Sequence, residues 1–225
     1  MLIVVDGVNG SGKTTLCKAL AHELPQYTHY KPLRDPNTHT DWDGRLKELA
    51  KIVPINTVHE DFLALDIGHR IGANLILDRS VPAGVAYDEI LKKGLGPGEI
   101  TDWLWRHGAA FYQWVTMMIE FKAVSVFLVC GHEAAVSRCT HTTFPHTRRQ
   151  QNTLVTAYTA MHQEALGQGV RSLIVRTDKL DQAAVLGQVL EFIERPKPDG
   201  SSAEKGDTCG YNCACARSGK AGHRQ

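Results

Sequence analysis

Leu2-Ile3-Val4-Val5-Asp6-Gly7-Val8-Asn9-Gly10-Ser11-Gly12-Lys13-Thr14-Thr15 decides how the rest of this chain reads. The apolar, mostly β-branched start is far too short for the core of a signal peptide and runs straight into Asp6 and Gly7, so it reads as a buried strand. Gly7 to Thr14 then fits G-x-x-x-x-G-K-[ST], and a helical pattern follows from Lys13 to Leu24, which is the strand-to-helix context a phosphate-binding loop requires. Such a loop wraps backbone N–H groups around phosphate oxygens, in conformations and at distances that a Cβ would obstruct; Gly7, Gly10 and Gly12 supply that freedom. The helix that opens at Lys13 offers unpaired N–H groups and a positive dipole end to an anion. Gly7, Asn9, Gly10, Ser11, Gly12, Lys13, Thr14 and Thr15 are therefore the expected nucleotide-binding residues. Lys13 is expected to reach the β- and γ-phosphates and the Thr14 hydroxyl to ligate Mg2+, which points to ATP with Mg2+ as the bound pair.

Magnesium also needs a carboxylate at the end of a neighbouring buried strand, and Asp78 follows Leu75-Ile76-Leu77 in that position, with Arg79 next. Thr14 and Asp78 are the expected metal ligands. Four short apolar runs, Leu2–Val5, Leu75–Leu77, Val124–Val129 and Leu173–Val175, read as buried parallel strands, with a further strand near Thr28–Lys31 closed by Pro32. Helical patterns lie between them, clearest over Lys13–Leu24, Val58–Ile71, Leu154–Leu166 and Asp181–Ile193. The alternation predicts an α/β, three-layer fold with a central parallel sheet. Trp103, Trp105, Phe111, Trp114 and Met118 fall at mixed helical spacing within Asp102–Phe121, so most of them are expected to pack in the core.

The 225 residues, 43% hydrophobic, suffice for one domain plus a tail. Lys and Arg number 25 against 24 Asp and Glu, so no global field draws the chain to nucleic acid or an anionic membrane. No apolar stretch is long enough for a membrane span, and the cysteines do not form a secreted disulfide framework. The expectation is a soluble, cytoplasmic protein, in the host's cytoplasm if the protein is viral. Beyond Pro196 the composition turns to Gly, Ser, Lys and Cys, which does not offset the entropy of ordering. Residues 1–195 are read as one domain and 196–225 as a flexible, mildly basic tail. Cys209, Cys213, Cys215 and His223 number enough to ligate zinc, Lys205, Arg217, Lys220 and Arg224 suit a phosphate backbone, and a passive tail is the third alternative.

Asp6 to Thr15, then Arg34-Asp35-Pro36, then Asp78-Arg79-Ser80 with Ala86-Tyr87 behind it, resemble the thymidylate kinase and deoxynucleoside kinase group, in an ordered match across residues 1 to 193. The resemblance implies a P-loop NTPase fold of nucleoside/nucleotide kinase type. It implies that Arg34 contacts the acceptor, that Arg79 positions the acceptor and the transferring phosphoryl, that Tyr87 lines the acceptor site, and that a cationic lid near residues 138–149 closes on ATP. That lid holds Arg138, His141, His146, Arg148 and Arg149. Phosphoryl transfer is mostly positioning and charge stabilisation, so Lys13, Arg79 and a lid arginine such as Arg148 form the expected catalytic set, with Asp35 as base if the acceptor is a hydroxyl.

The chain also departs from the thymidylate kinase pattern. The Asp-Arg pair that reads the pyrimidine falls near Asn56 and Thr57, neither of which does an arginine's work, and Ser80 follows the deoxynucleoside kinase pattern. His59 and Glu60, on the same helix, are candidates to hydrogen-bond an altered base. Three functions remain open: a kinase for a pyrimidine deoxynucleoside monophosphate, a phage-type kinase acting on 5-hydroxymethyluracil within DNA, and a non-catalytic nucleotide switch. A base inside duplex DNA would first have to be flipped out. An N-K-x-D guanine signature is absent, since Thr177-Asp178-Lys179-Leu180 does not fit one. Homodimerisation is left open.

Overall fold

The predicted strands assemble into a five-stranded, all-parallel sheet in the order β2-β3-β1-β4-β5. They are β1 (Leu2–Gly7), β2 (Thr28–Tyr30), β3 (Leu75–Asp78), β4 (Val124–Val129) and β5 (Arg171–Arg176). The structure, a computed structural model, describes residues 1–31, 57–139 and 145–195. Val5 of β1 registers with Asp78 of β3 on one side and with Val126 of β4 on the other. The first strand thus lies mid-sheet, where the strand order reverses and α/β sheets open a ligand crevice at their carboxyl ends.

Side chains alternate across the sheet and each face has its own core. On one face Ile3, Val5, Ile76, Val126 and Leu128 pack against Leu16, Cys17 and Leu20 of α1 (Lys13–Glu23) and Val185 and Val189 of the C-terminal helix. On the other, Val4, Leu77 and Phe127 meet Leu65 of α2 (Thr57–Arg70) and the aromatic helices. Both faces are covered, which is why β1 and β4 are buried along their whole length and read as continuous apolar runs.

After β3 the chain turns through α3 (Val81–Gly84) into a π-helical stretch, Val85–Leu91, that the sequence did not signal. The Trp-rich segment with mixed helical spacing belongs to two helices, α4 (Pro97–His107) and α5 (Ala109–Glu120), divided at Gly108. A Cβ at Gly108 would meet the Leu104 carbonyl oxygen at 2.4 Å, so the close approach that splits the helix needs a glycine. Phe111, Trp114 and Met118 are buried as expected. Trp103 packs partly buried against the core and Trp105 is 70% exposed, so most of the five pack inward as expected.

The remaining elements are α6 (His132–Arg138), α7 (Arg148–Gly167) and α8 (Gln182–Glu194). α7 starts two turns earlier than its apolar periodicity shows, because Thr147 caps it: the Gln150 N–H donates to the Thr147 hydroxyl and the Thr147 N–H to Gln150 Oε1. Asp181 caps α8 by accepting from the Ala184 N–H (2.8 Å). Among the described residues no helix is long and apolar enough to cross a membrane.

Candidate active site

The glycine-rich loop joins the end of β1 to α1, and its backbone departs from what L-residues ordinarily adopt. Gly7, Gly10 and Gly12 have φ of 138°, 77° and 92°. A Cβ on Gly7 would fall 1.9 Å from the Leu128 carbonyl oxygen, and one on Gly10 would fall 2.7 Å from the Ala135 Cα. The first and second glycines are thus demanded by conformation and by space, the third by conformation alone.

Inside the loop the Lys13 ammonium and the Ser11 hydroxyl both donate to the Val8 carbonyl oxygen, at 2.6 and 2.8 Å. Lys13 is 6% exposed. Burial, reinforced by the neighbouring Arg79 charge and only partly offset by Asp6 and Asp78, lowers its pKa to about 7. The Thr14 hydroxyl donates to Asp78 Oδ2 at 2.6 Å, so the two expected metal ligands lie side by side, one at the start of α1 and one at the end of β3. Asp78 Oδ1 is buried with no hydrogen-bond partner. A hydroxyl beside a carboxylate with an unsatisfied oxygen is a donor set that fits Mg2+, a hard cation that takes oxygen ligands.

Asp6 braces this corner. Its carboxylate accepts from the Gly7 N–H (2.9 Å), the Ser80 N–H (2.9 Å) and the Tyr158 hydroxyl (3.0 Å), tying the ends of β1 and β3 to α7. Burial, with Asp6 beside it, pushes the Tyr158 phenol well above its ordinary range, so it stays a donor at any physiological pH.

Arg79 follows Asp78 with φ 85°, in the left-handed region that a non-glycine residue occupies at a cost of roughly 1–3 kcal/mol. Its N–H donates to the Val5 carbonyl (2.9 Å) and its guanidinium donates to Asn9 Oδ1 (2.6 Å) and lies over the Tyr87 ring, 5.4 Å from the centroid. Burial alone would lower the Arg79 pKa, but Tyr87, Tyr158, Asp6 and Asp78 outweigh it and the charge is held.

Asn9 joins Arg79, Tyr87, His146 and Gln151. Its backbone N–H donates to the Tyr87 hydroxyl (2.9 Å), its carbonyl accepts from Gln151 Nε2 (3.3 Å), and its side-chain nitrogen is 3.0 Å from His146 Nε2. Because Arg79 fixes the Asn9 oxygen, the amide nitrogen faces His146 and must donate, which makes Nε2 the unprotonated acceptor. Burial and the Arg79 charge both lower the His146 pKa, in keeping with that assignment. Tyr87, which sits on the π-helical stretch, is pushed up to about 12 by burial.

On the other flank of the loop a cleft of about 560 Å³ is lined by Gly10, Gly12, Thr15, Arg138, Thr177 and Leu180, among others. The Arg138 guanidinium donates to the Gly10 carbonyl (3.2 Å), the Thr177 hydroxyl (2.9 Å) and the Thr177 carbonyl (2.5 Å). It staples the loop to the segment after β5, so within the expected lid Arg138 belongs to the cleft wall. Arg148 pairs with Glu133 at 2.7 Å, and both are largely exposed. The structure therefore brings Lys13, Thr14, Asp78, Arg79, Tyr87 and Asn9 together and leaves Arg148 in a surface ion pair. Arg34, Asp35, Asn56, His141, the tail residues and the side chains of Thr57, His59 and Glu60 lie outside the described residues. Tyr158, Gln151 and Thr177 carry no motif or periodic signal; each reaches the loop only through the tertiary fold.

No family model and no curated protein sequence matches the chain. Solved structures do. A deoxyadenosine kinase from M. mycoides with bound dATP superposes with a TM-score of 0.54 at 18% identity, covering 87% of this chain and 100% of that one. The same enzyme with bound dCTP gives 0.50 at 15% identity, covering 86% and 98%. YorR from Bacillus subtilis, in complex with phosphorylated GDP, gives 0.54 at 15% identity, covering 86% and 96%. Similarity of this kind establishes the fold: the chain has the α/β nucleotide-kinase fold, with a phosphate-binding loop at the head of the central strand of a five-stranded parallel sheet.

Proposed function

We propose that this protein is an ATP- and Mg2+-dependent kinase that transfers the γ-phosphoryl group to a pyrimidine deoxynucleotide-type acceptor. The observation that carries the reading is the 2.6 Å contact between the Thr14 hydroxyl and Asp78, directly behind a glycine loop that holds Lys13. Thr14 and Asp78 would hold Mg2+, which would supply charge neutralisation to the triphosphate. The loop amides and Lys13 bind the triphosphate, the 560 Å³ cleft beside Arg138 and Thr177 takes the nucleoside part of ATP, and Arg79 stands on the acceptor side of the loop. Arg79 is held between Asn9 and Tyr87, a pre-organised cation where charge develops during transfer. Arg34 contacts the acceptor, and Arg148 leaves Glu133 to join the phosphoryl group when the lid closes. A deoxynucleoside-class acceptor is supported by the deoxyadenosine kinase of M. mycoides, which has the same fold.

The test is labelled-phosphate transfer from ATP to a panel of free deoxynucleosides, free deoxynucleoside monophosphates and 5-hydroxymethyluracil-containing DNA. Label on a pyrimidine monophosphate is the expected result; label on DNA alone moves the acceptor into the polymer, and silence across the panel with tight nucleotide binding turns the reading to a switch. Asp35→Asn separates acceptor chemistries: a large fall in rate indicates a hydroxyl whose proton Asp35 takes, a small one a phosphate that needs no base.

A further inference from the structure

β2, α1 and β3 bring a second set of ligand atoms to Asp78. Cys17 Sγ, a His29 ring nitrogen and an Asp78 carboxylate oxygen all lie within 4.8 Å of one another, and no other trio of His, Cys, Asp or Glu among the described residues lies as close. The local fold makes this placement. His29 registers with Ile76, so it shares with Asp78 the sheet face against which α1 packs, and Cys17 stands about one helical turn after Thr14 on the α1 side facing that sheet. His29 Nε2 is 3.8 Å from Asp78 Oδ2, beyond hydrogen-bond reach. Nε2 is buried without a hydrogen-bond partner, Asp78 is only 1% exposed, and the Asp78 oxygen nearest His29 is Oδ2, which accepts from Thr14, leaving Oδ1 for the Mg2+ side. A buried polar atom left unsatisfied destabilises the fold, so the cluster is costly unless something bridges it.

We propose that Cys17, His29 and Asp78 form a site for a borderline-soft divalent cation of the zinc type. Thiolate, imidazole and carboxylate are the ligands such an ion selects, whereas Mg2+ takes oxygen and has no use for the first two. Metal–ligand bonds of about 2.0–2.3 Å in a tetrahedron set ligand atoms roughly 3.3–3.8 Å apart. The His29–Asp78 separation is at that limit, and all three ligand atoms lie within 4.8 Å of one another, so binding calls for the ligands to draw in by up to about an ångström. On binding, the Cys17 S–H bond breaks, its proton leaves to solvent, and the sulfur lone pair forms the bond to the cation. Occupation would tie Asp78 to β2 as well as to Thr14.

The experiment uses the full chain with Cys209, Cys213 and Cys215 replaced by Ser, so that no tail thiol contributes, and titrates it with Co2+ as a spectroscopic stand-in for zinc. The expected result is a sulfur-to-cobalt charge-transfer band that saturates at one ion per chain, is displaced by Zn2+ but not by Mg2+, and is absent in Cys17→Ser. His29→Asn is expected to weaken Co2+ binding by at least about tenfold, the least that loss of support around a metal ordinarily costs. Absence of the band, or a band that survives Cys17→Ser, overturns the proposal. Should Cys17→Ser fail to fold, unchanged affinity in His29→Asn overturns it alone. No nucleotide enters the measurement, so its failure leaves the kinase reading standing.

Discussion

If the loop binds a triphosphate as proposed, a Lys13 pKa of about 7 makes that binding a proton-uptake reaction. In the free loop, burial and Arg79 disfavour the Lys13 charge while Asp6, Asp78 and Cys130 favour it too weakly to restore the ordinary value. Triphosphate oxygens beside Nζ reverse that balance and return the lysine to full protonation. The uptake equals the neutral fraction of free Lys13: about 0.1 proton at pH 6, 0.5 at pH 7 and 0.9 at pH 8. Affinity then falls about fivefold from pH 7 to pH 8 by linkage. Calorimetry with a non-hydrolysable ATP analogue in buffers of different ionisation enthalpy reads the uptake directly. At pH 8 the phosphates have already lost their own protons and contribute little. His146 starts neutral there, and its pKa, already lowered by burial and Arg79, would have to climb past 8 to interfere. The same shift has a consequence for the free protein. Its folded pKa lies below that of the unfolded chain, so the unfolded state binds more protons between about pH 7 and 10.5, and this residue's contribution to stability rises with pH across that window. Lys13→Met removes that slope. Uptake below about 0.2 proton at pH 8, with flat affinity between pH 7 and 8, would refute the account.

Asp78→Asn keeps the shape but removes the charge beside Thr14, and is expected to raise the Mg2+ concentration needed for half-maximal transfer by at least about tenfold in a metal titration. Gly7→Ala must displace the Leu128 backbone and hold φ 138°, which is expected to cost at least about 2 kcal/mol in urea denaturation. Tyr158→Phe deletes a buried donor to the Asp6 carboxylate and should destabilise by about 2 kcal/mol, with Tm as the first readout; an unchanged Tm would mean that the other contacts of Asp6 brace it without Tyr158. Arg138→Ala frees Gly10 and Thr177 from each other and is expected to weaken ATP binding roughly tenfold, read by equilibrium dialysis.

Local rules were enough for the strands, the loop and the pairing of Thr14 with Asp78. A short β-branched apolar run bounded by turn residues fits a strand covered on both faces, and the loop glycines allow the positive φ the turn needs, so these features are written over a few consecutive residues. The aromatic segment from Asp102 to Phe121 was legible as helical and buried but not as two helices. The Gly108 break depends on its approach to the Leu104 carbonyl, and helical spacing alone did not single out Trp105 as the exposed member. Tyr158 meets Asp6 across 152 positions and Gln151 meets Asn9 across 142, distances over which composition and periodicity carry no information. The sequence by itself determined a parallel α/β sheet with a phosphate loop on its first strand, because backbone hydrogen bonding and burial act between neighbours. Only the tertiary structure decided that β1 lies mid-sheet, that Arg138 walls the cleft, that Asn9 links Arg79, Tyr87 and His146, and that Cys17 and His29 converge on Asp78. Those placements follow from strand order and helix packing, which are properties of the whole chain folded together.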